Sequence, residues 1–276
     1  MRKHKPKKSI LYSLYNQPAG RCLLKALTAP ALSRFAGRFL DTSASKVLID
    51  PFVKHNGIDL SDYESGPFPS FNAFFTRRLA EGKRVIDRTP SHLIAPCDGL
   101  LSVYPIHNGT VCPIKGVDYS IRSLLRSRIL AKKFEGGLCL VFRLCVDHYH
   151  RYAFFDDGAL LRRYAINGVL HTVRPVALEA KPVFVENSRE VSLMRSDNFG
   201  FSAQIEVGAM LVGRIVNREN VDGFVRGEEK GRFEYGGSTV VLLLTKDAAK
   251  LDKRFVFGGT EIPVRFGEQI GEAHAH

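Results

Sequence analysis

The apolar positions follow two textures along the chain. Near the start they recur at helical spacing: Ile10, Leu11, Leu14 and Tyr15, then Leu23, Leu24 and Leu27. Pro18 and Gly20 separate these stretches and Pro30 follows the second. The pattern predicts two or three short amphipathic helices. From about residue 93 short apolar runs are cut by Gly, Asp and Asn at intervals of roughly 8–12 residues, as in β-rich folds. Residues 138–142, 181–185 and 240–244 read as strands. The last run, Val-Val-Leu-Leu-Leu, is a buried strand by its length. One helix fits near residues 121–128. The expected fold class is α+β: a basic helical region over 1–67, then a mainly antiparallel β catalytic domain over 68–276.

Composition narrows the classes. With 276 residues, 45% apolar and 25% charged, the chain can bury a sizeable core, which excludes disorder, collagen and coiled coil as its main theme. Forty Lys and Arg against 28 Asp and Glu leave a net charge of +12. The excess is concentrated at the start. Arg2, Lys3, Lys5, Lys7, Lys8, Arg21, Lys25, Arg34 and Arg38 all precede the first acid, Asp41. Cations beside amphipathic helices suit an anionic bilayer surface. Nucleic acid is the poorer partner, because few aromatic stacking positions interleave with the charge. The five cysteines, Cys22, Cys97, Cys112, Cys139 and Cys145, are odd in number and lack C-x-x-C spacing. That argues against a zinc ribbon or a disulfide framework and for a reducing compartment. There is no apolar run of membrane-spanning length. The basic start has no clean apolar segment after it, since Tyr12, Tyr15, Asn16 and Gln17 interrupt it, so a signal peptide is not expected.

Three segments carry candidate chemistry. In Gly236-Gly237-Ser238-Thr239 two glycines precede a hydroxyl and a strand follows. Glycine leaves the Gly237 carbonyl uncovered, so the Ser238 hydroxyl can approach it and shift the acyl group intramolecularly. A plain turn into a strand explains the same four residues. In Asp147-His148-Tyr149-His150-Arg151, an extended backbone would aim His148 and His150 at one face. A metal pair, an acid/base pair and a packed polar cluster all fit that arrangement. No third ligand of fitting spacing is evident, so no metal is expected. In Pro96-Cys97-Asp98-Gly99 the default is an exposed turn carboxylate. The alternative is an acid that orients a histidine.

Together these segments resemble the phosphatidylserine decarboxylases, a pyruvoyl-dependent family. The resemblance runs from about residue 68 to 271. It rests on Phe71-Asn-Ala-Phe-Phe-Thr-Arg77, on Asp98-Gly99, on Tyr149-His150-Arg151, and on Asn167-Gly-Val-Leu-His-Thr-Val173. Further matches are Asn187-Ser-Arg189, Val207-Gly-Ala209, Gly227-Glu-Glu-Lys-Gly231, Gly237-Ser-Thr239 and Gly267-Glu-Gln-Ile-Gly271. The resemblance implies a proenzyme that cuts itself between Gly237 and Ser238, giving a long chain 1–237 and a short chain 238–276. Ser238 becomes an N-terminal pyruvoyl group, which holds the substrate amine as a Schiff base and supplies the electron sink that ordinary side chains lack. The product is phosphatidylethanolamine.

The family's Ser-His-Asp relay maps onto Ser238, His150 and Asp98. Its second histidine falls on Ala153, and its Asp before Tyr-His is replaced by His148. His150 is therefore the expected base, with His148 as substitute or neighbour. Asn187 and Arg189 are candidate holders of a substrate carboxylate or phosphate, with a structural salt bridge of Arg189 as the alternative. Phe74 and Phe75 read as core or lipid-facing residues, and His171 as a packed polar residue. The expected partners are phosphatidylserine in an anionic membrane, the chain's own two fragments and a possible homodimer, at the cytoplasmic side of the cell membrane. The rival readings are a pyruvoyl decarboxylase of another amino acid or head group, and a non-catalytic protein that binds anionic membranes.

Overall fold

The computed structural model describes residues 30–107, 111–114, 117–169, 183–209, 214–235, 238–258 and 261–274. The amphipathic stretches expected before residue 28, together with His171, Gly236 and Gly237, lie outside the described residues. The strands are β1 (His92–Ile94), β2 (Gly99–Pro105), β3 (Val111–Ile114), β4 (Val117–Ser120), β5 (Leu138–Leu144), β6 (Arg151–Ala153), β7 (Gly158–Ile166) and β8 (Arg189–Ser196). They continue as β9 (Gly200–Val207), β10 (Ile215–Asn217), β11 (Gly223–Phe224), β12 (Glu229–Phe233), β13 (Ser238–Leu244), β14 (Ala249–Leu251), β15 (Ile262–Val264) and β16 (Gln269–Ala273).

An eight-stranded sheet in the order β11-β7-β8-β9-β13-β5-β2-β15 organises the molecule, and neighbouring strands in it are antiparallel. The sheet is covered on both faces. That is why residues 240–244 are apolar without alternation. Val240, Leu242 and Leu244 join a core with Phe142, Tyr152, Phe154 and Phe233, on the side of the small sheets β10-β12-β6 and β1-β16-β14. Val241 and Leu243 join the opposite core, with Ile121, Leu124, Leu125 and Phe134 from the helical side. Each of these buried aliphatic side chains contributes roughly 1.5–3 kcal/mol. Gly231 sits where β12 passes closest to β10. A Cβ there would lie 2.4 Å from the Val216 carbonyl oxygen, so no other residue fits.

The α+β expectation holds, with short helices near the N-terminus: Pro30–Leu40, Ile49–Asn56 and Phe71–Phe75. Pro30 opens the first, as its fixed φ and missing N–H allow. A third core unites Leu40 and Ile58 with Phe71, Phe74 and Phe75. The two phenylalanines are thus core residues, not lipid-facing ones. The helix expected near 121–128 is a pair, Ile121–Leu125 and Arg128–Lys133. Ser127 separates them and caps the second by accepting from the Leu130 N–H. The strand expected over 181–185 is not present in its described part, because Val183–Glu186 is a helical turn. Its β-branched composition loses to its position at the entry to β8. Among the described residues no helix is long and apolar enough to cross a membrane.

Candidate active site

Ser238 is the first residue of β13 and is fully buried. It pairs across the ladder with Leu144 of β5, while Thr239 pairs with Val207 of β9. Among the described residues its Oγ has no hydrogen-bond partner, although a buried hydroxyl ordinarily finds one. The approach to it is held in place. Asn72 Oδ1 accepts from the Tyr235 N–H at 3.2 Å, and Asn72 Nδ2 donates to Asp41 at 2.7 Å. The Phe233 N–H donates to the His150 carbonyl at 2.9 Å. The helix Phe71–Phe75 and the His150 backbone thus hold Tyr235 and Phe233 in place.

His150 is buried, with its ring 4.0 Å from that of Phe75. Its Nδ1 lies 2.9 Å from the His148 carbonyl, and a carbonyl can only accept. The proton therefore sits on Nδ1, which leaves Nε2 as the acceptor. Burial, then the nearby Arg77 guanidinium, push the His150 pKa well below its ordinary value, so the ring is neutral. Nε2 is buried and has no partner among the described residues. Ser238 Oγ and His150 Nε2 are thus both unbonded there.

The two histidines do not share one face of a strand, as an extended backbone would require. Residues 145–148 form a turn in which the His148 N–H donates to the Cys145 carbonyl at 3.0 Å. His148 instead lines a cavity of about 330 Å³ together with Asp98, Arg84 and Tyr63. Burial lowers its pKa, and Asp147 and Asp98 oppose that. Asp98 is buried, not an exposed turn carboxylate. It accepts from the Phe266 N–H at 2.8 Å and from Arg84 Nη2 at 3.2 Å. The structure therefore groups Asp98 with His148, and the group that orients the His150 ring is a backbone carbonyl.

The 145–148 turn gathers a different group of potential metal donors, which includes His148 but not His150. Ligand atoms of Cys145, Asp147 and His148 lie within 4.8 Å of one another. Two of them are already engaged. Cys145 Sγ accepts from Arg143 at 3.2 Å, and His148 Nδ1 accepts from the Cys145 N–H at 3.1 Å.

Arg189 is not placed to receive a substrate anion. Its guanidinium is buried and donates to the backbone carbonyls of Ser123, Leu124, Val185 and Asn187 at 2.8–2.9 Å. Burial lowers its pKa to about 10. The planar fork clamps the C-terminal end of helix Ile121–Leu125 to β8, satisfying carbonyls that a helix end leaves open. Asn187 is likewise buried and donates to the Gly208 carbonyl at 2.6 Å.

One buried network was not anticipated. Lys230 and Glu206 are both fully buried and 2.8 Å apart. Asn217 accepts from Lys230 at 3.0 Å and from Tyr152 at 3.2 Å, and donates to Glu190 and Glu206. Burial works against both charges, raising the pKa of Glu206 and lowering that of Lys230. Lys230 lies in the Gly227–Gly231 motif, which was its one signal in sequence. Glu206 had none.

A buried seryl hydroxyl at the head of a strand, in a chain that also buries a neutral imidazole, is chemistry suited to intramolecular acyl transfer on an antiparallel β scaffold. Self-processing proteins form such a class. Residues 71–272 match the family model for phosphatidylserine decarboxylase. The chain is 43% identical over 265 residues to phosphatidylserine decarboxylase proenzyme 2 of Clostridium acetobutylicum, covering 95% of this chain and 91% of that protein. It is 38% identical to the phosphatidylserine decarboxylase proenzyme of Clostridium botulinum and 39% identical to that of Clostridium perfringens, each covering 93% of this chain and 90% of the relative. The chain belongs to the phosphatidylserine decarboxylase family.

Proposed function

We propose that this chain is a proenzyme that cuts itself between Gly237 and Ser238 and then decarboxylates phosphatidylserine to phosphatidylethanolamine. The observation that carries the reading is the buried Ser238 Oγ at the start of β13, without a partner among the described residues. His150 Nε2 takes the hydroxyl proton as Oγ attacks the Gly237 carbonyl carbon. The new C–O ester bond forms as the Gly237–Ser238 C–N bond breaks, and the proton passes to the freed amine. Elimination releases the Gly237 carboxylate, and hydrolysis of the remaining enamine expels ammonia and leaves a pyruvoyl terminus. Ser238 suits that group, since its side chain is buried at a strand start with no bond to lose. The pyruvoyl carbonyl supplies an electron sink for loss of CO2. The Phe75 ring keeps the His150 imidazole desolvated and neutral.

The substrate class also accounts for the surface near the N-terminus. Phe35, Phe39, Val47 and Leu48 are exposed, with exposed Arg38 and Lys46 among them. Apolar side chains framed by cations suit a peripheral site on an anionic bilayer. Removing residues 2–8 is expected to weaken binding to anionic vesicles, most at low salt. Unchanged binding would exclude the tail as an anchor.

Intact-mass measurement tests the processing. The expected result is two chains, 1–237 and 238–276, the shorter with a pyruvoyl terminus. An unbroken 30.8 kDa chain in active protein would overturn the assignment. Labelled phosphatidylserine tests the reaction, and failure to yield phosphatidylethanolamine would favour another amino-acid head group.

A further inference from the structure

One surface takes no part in the chemistry above. The helices Ile121–Leu125 and Arg128–Lys133, with the link between them, carry Arg122, Arg126, Arg128, Lys132 and Lys133, all exposed, and no acid. Ile129 stands among these cations and is 77% exposed, and Leu161 on β7 is 52% exposed. Between the helix pair and the end of β7 runs a groove of about 680 Å³. Leu125, Leu130, Tyr164 and Ile166 line it, and Arg126 and Arg162 contribute its charge. Arg126 holds a left-handed backbone, φ 48°, which residues other than Gly, Asn and Asp adopt uncommonly.

The groove is fastened to the strand row that ends at the active site. Arg189 grips the Ser123 and Leu124 carbonyls, and the Tyr164 hydroxyl donates to the Leu125 carbonyl at 2.8 Å. Across the sheet, Ile166 pairs with Arg189, Arg189 with Val207, and Val207 with Thr239. Three strand spacings, roughly 14 Å, thus separate the groove from the residue beside Ser238.

We propose that this groove seats an anionic phospholipid of the bilayer, with an acyl chain against Leu125, Leu130 and Ile166 and its phosphate at Arg126 and Arg162. Seating there turns the Ser238 end of the sheet toward the membrane that holds the substrate. An apolar floor beside acid-free cations matches an amphiphile with an anionic head. A second copy of this face is the poorer occupant, because a two-fold contact would set the same five cations against each other. The inference rests on the reading of the substrate as a membrane lipid.

The test uses the full chain with Ile129→Cys carrying an environment-sensitive fluorophore, and separately the double variant Arg126→Gln/Arg162→Gln. Vesicles of phosphatidylcholine with phosphatidylglycerol are the probe, since phosphatidylglycerol has no amine to react. The label is expected to shift to the blue with these vesicles and not with phosphatidylcholine alone. The double variant is expected to bind them roughly 30-fold more weakly at about 0.1 M salt. Self-cleavage and turnover of a short-chain soluble phosphatidylserine are expected to persist, and they report on the function independently of the groove. An unshifted label, or unchanged affinity in the double variant, would overturn the proposal. So would a shift that grows with protein concentration without vesicles, which would assign the groove to a second copy.

Discussion

Two buried polar regions of the main domain differ in how completely they are bonded. Around Asp156 the hydrogen-bonding capacity is largely used. Its carboxylate accepts from Ser196 at 2.5 Å, from the Asn198 backbone and side chain at 2.9 Å, and from Arg226. Arg226 also donates to the carbonyls of Thr89, Pro90 and His92. Ser238 Oγ and Thr239 Oγ1 at the head of β13, and the Nε2 of His150, are equally buried and have no partner among the described residues. An unmade buried bond costs about 1–3 kcal/mol, so the first region contributes to stability where the second does not; the proposed role of Ser238 and His150 in processing gives that cost a use.

The sharpest break of this comparison is Ser238→Ala. It removes the nucleophile, so processing is expected to stop completely while the urea midpoint changes little. Denaturing electrophoresis and intact mass report both; cleavage in this variant would end the assignment. His150→Ala comes next, expected to slow cleavage by roughly 10²–10⁴-fold, the usual worth of a general base. His148→Ala should slow it less, because His148 lies in the Asp98 cavity. The reverse order would transfer the role of base to His148.

Asp156→Ala probes the satisfied region. It strands the buried Arg226 guanidinium and is expected to cost about 3–5 kcal/mol in urea unfolding. Among molecules that still fold, the cleavage rate should be near normal; a rate lost at full stability would erase the division of labour. The smallest effect concerns pH. His150 and His148 have folded pKa values below the ordinary 6.5. The unfolded chain therefore binds more protons in mild acid. Their contribution to stability is present above about pH 6.5 and falls as the pH drops below it. Urea midpoints at neutral and mildly acid pH should show that slope, and His150→Gln should flatten it.

Some of the site was legible from local chemistry. Two glycines, a hydroxyl and an apolar run placed a turn before a strand, and β13 begins at Ser238; the reading of that hydroxyl as a nucleophile came from the family resemblance. The run 240–244 announced burial on both faces because it lacks alternation. The histidine relationship was not legible. The face on which His148 points depends on a turn at 145–148, which the His148 N–H closes on the Cys145 carbonyl and the Cys145 N–H closes on His148 Nδ1, and strand alternation does not anticipate those local bonds. Arg189 misled for a related reason. An arginine in a motif looks like an anion holder, yet here it caps a helix some 65 positions earlier in the chain.

Residue order alone settled the β-rich character, the family, the cationic bias of the first forty positions and the hydroxyl beside two glycines, because each is a local or compositional property. Tertiary structure decided which polar groups are spent. Asp98 goes to Arg84, Arg189 to four carbonyls and Lys230 to Glu206, while Ser238 Oγ and His150 Nε2 find no partner among the described residues. Bonding between positions far apart in sequence depends on strand register and burial, and these exist only once the sheet has closed around its cores.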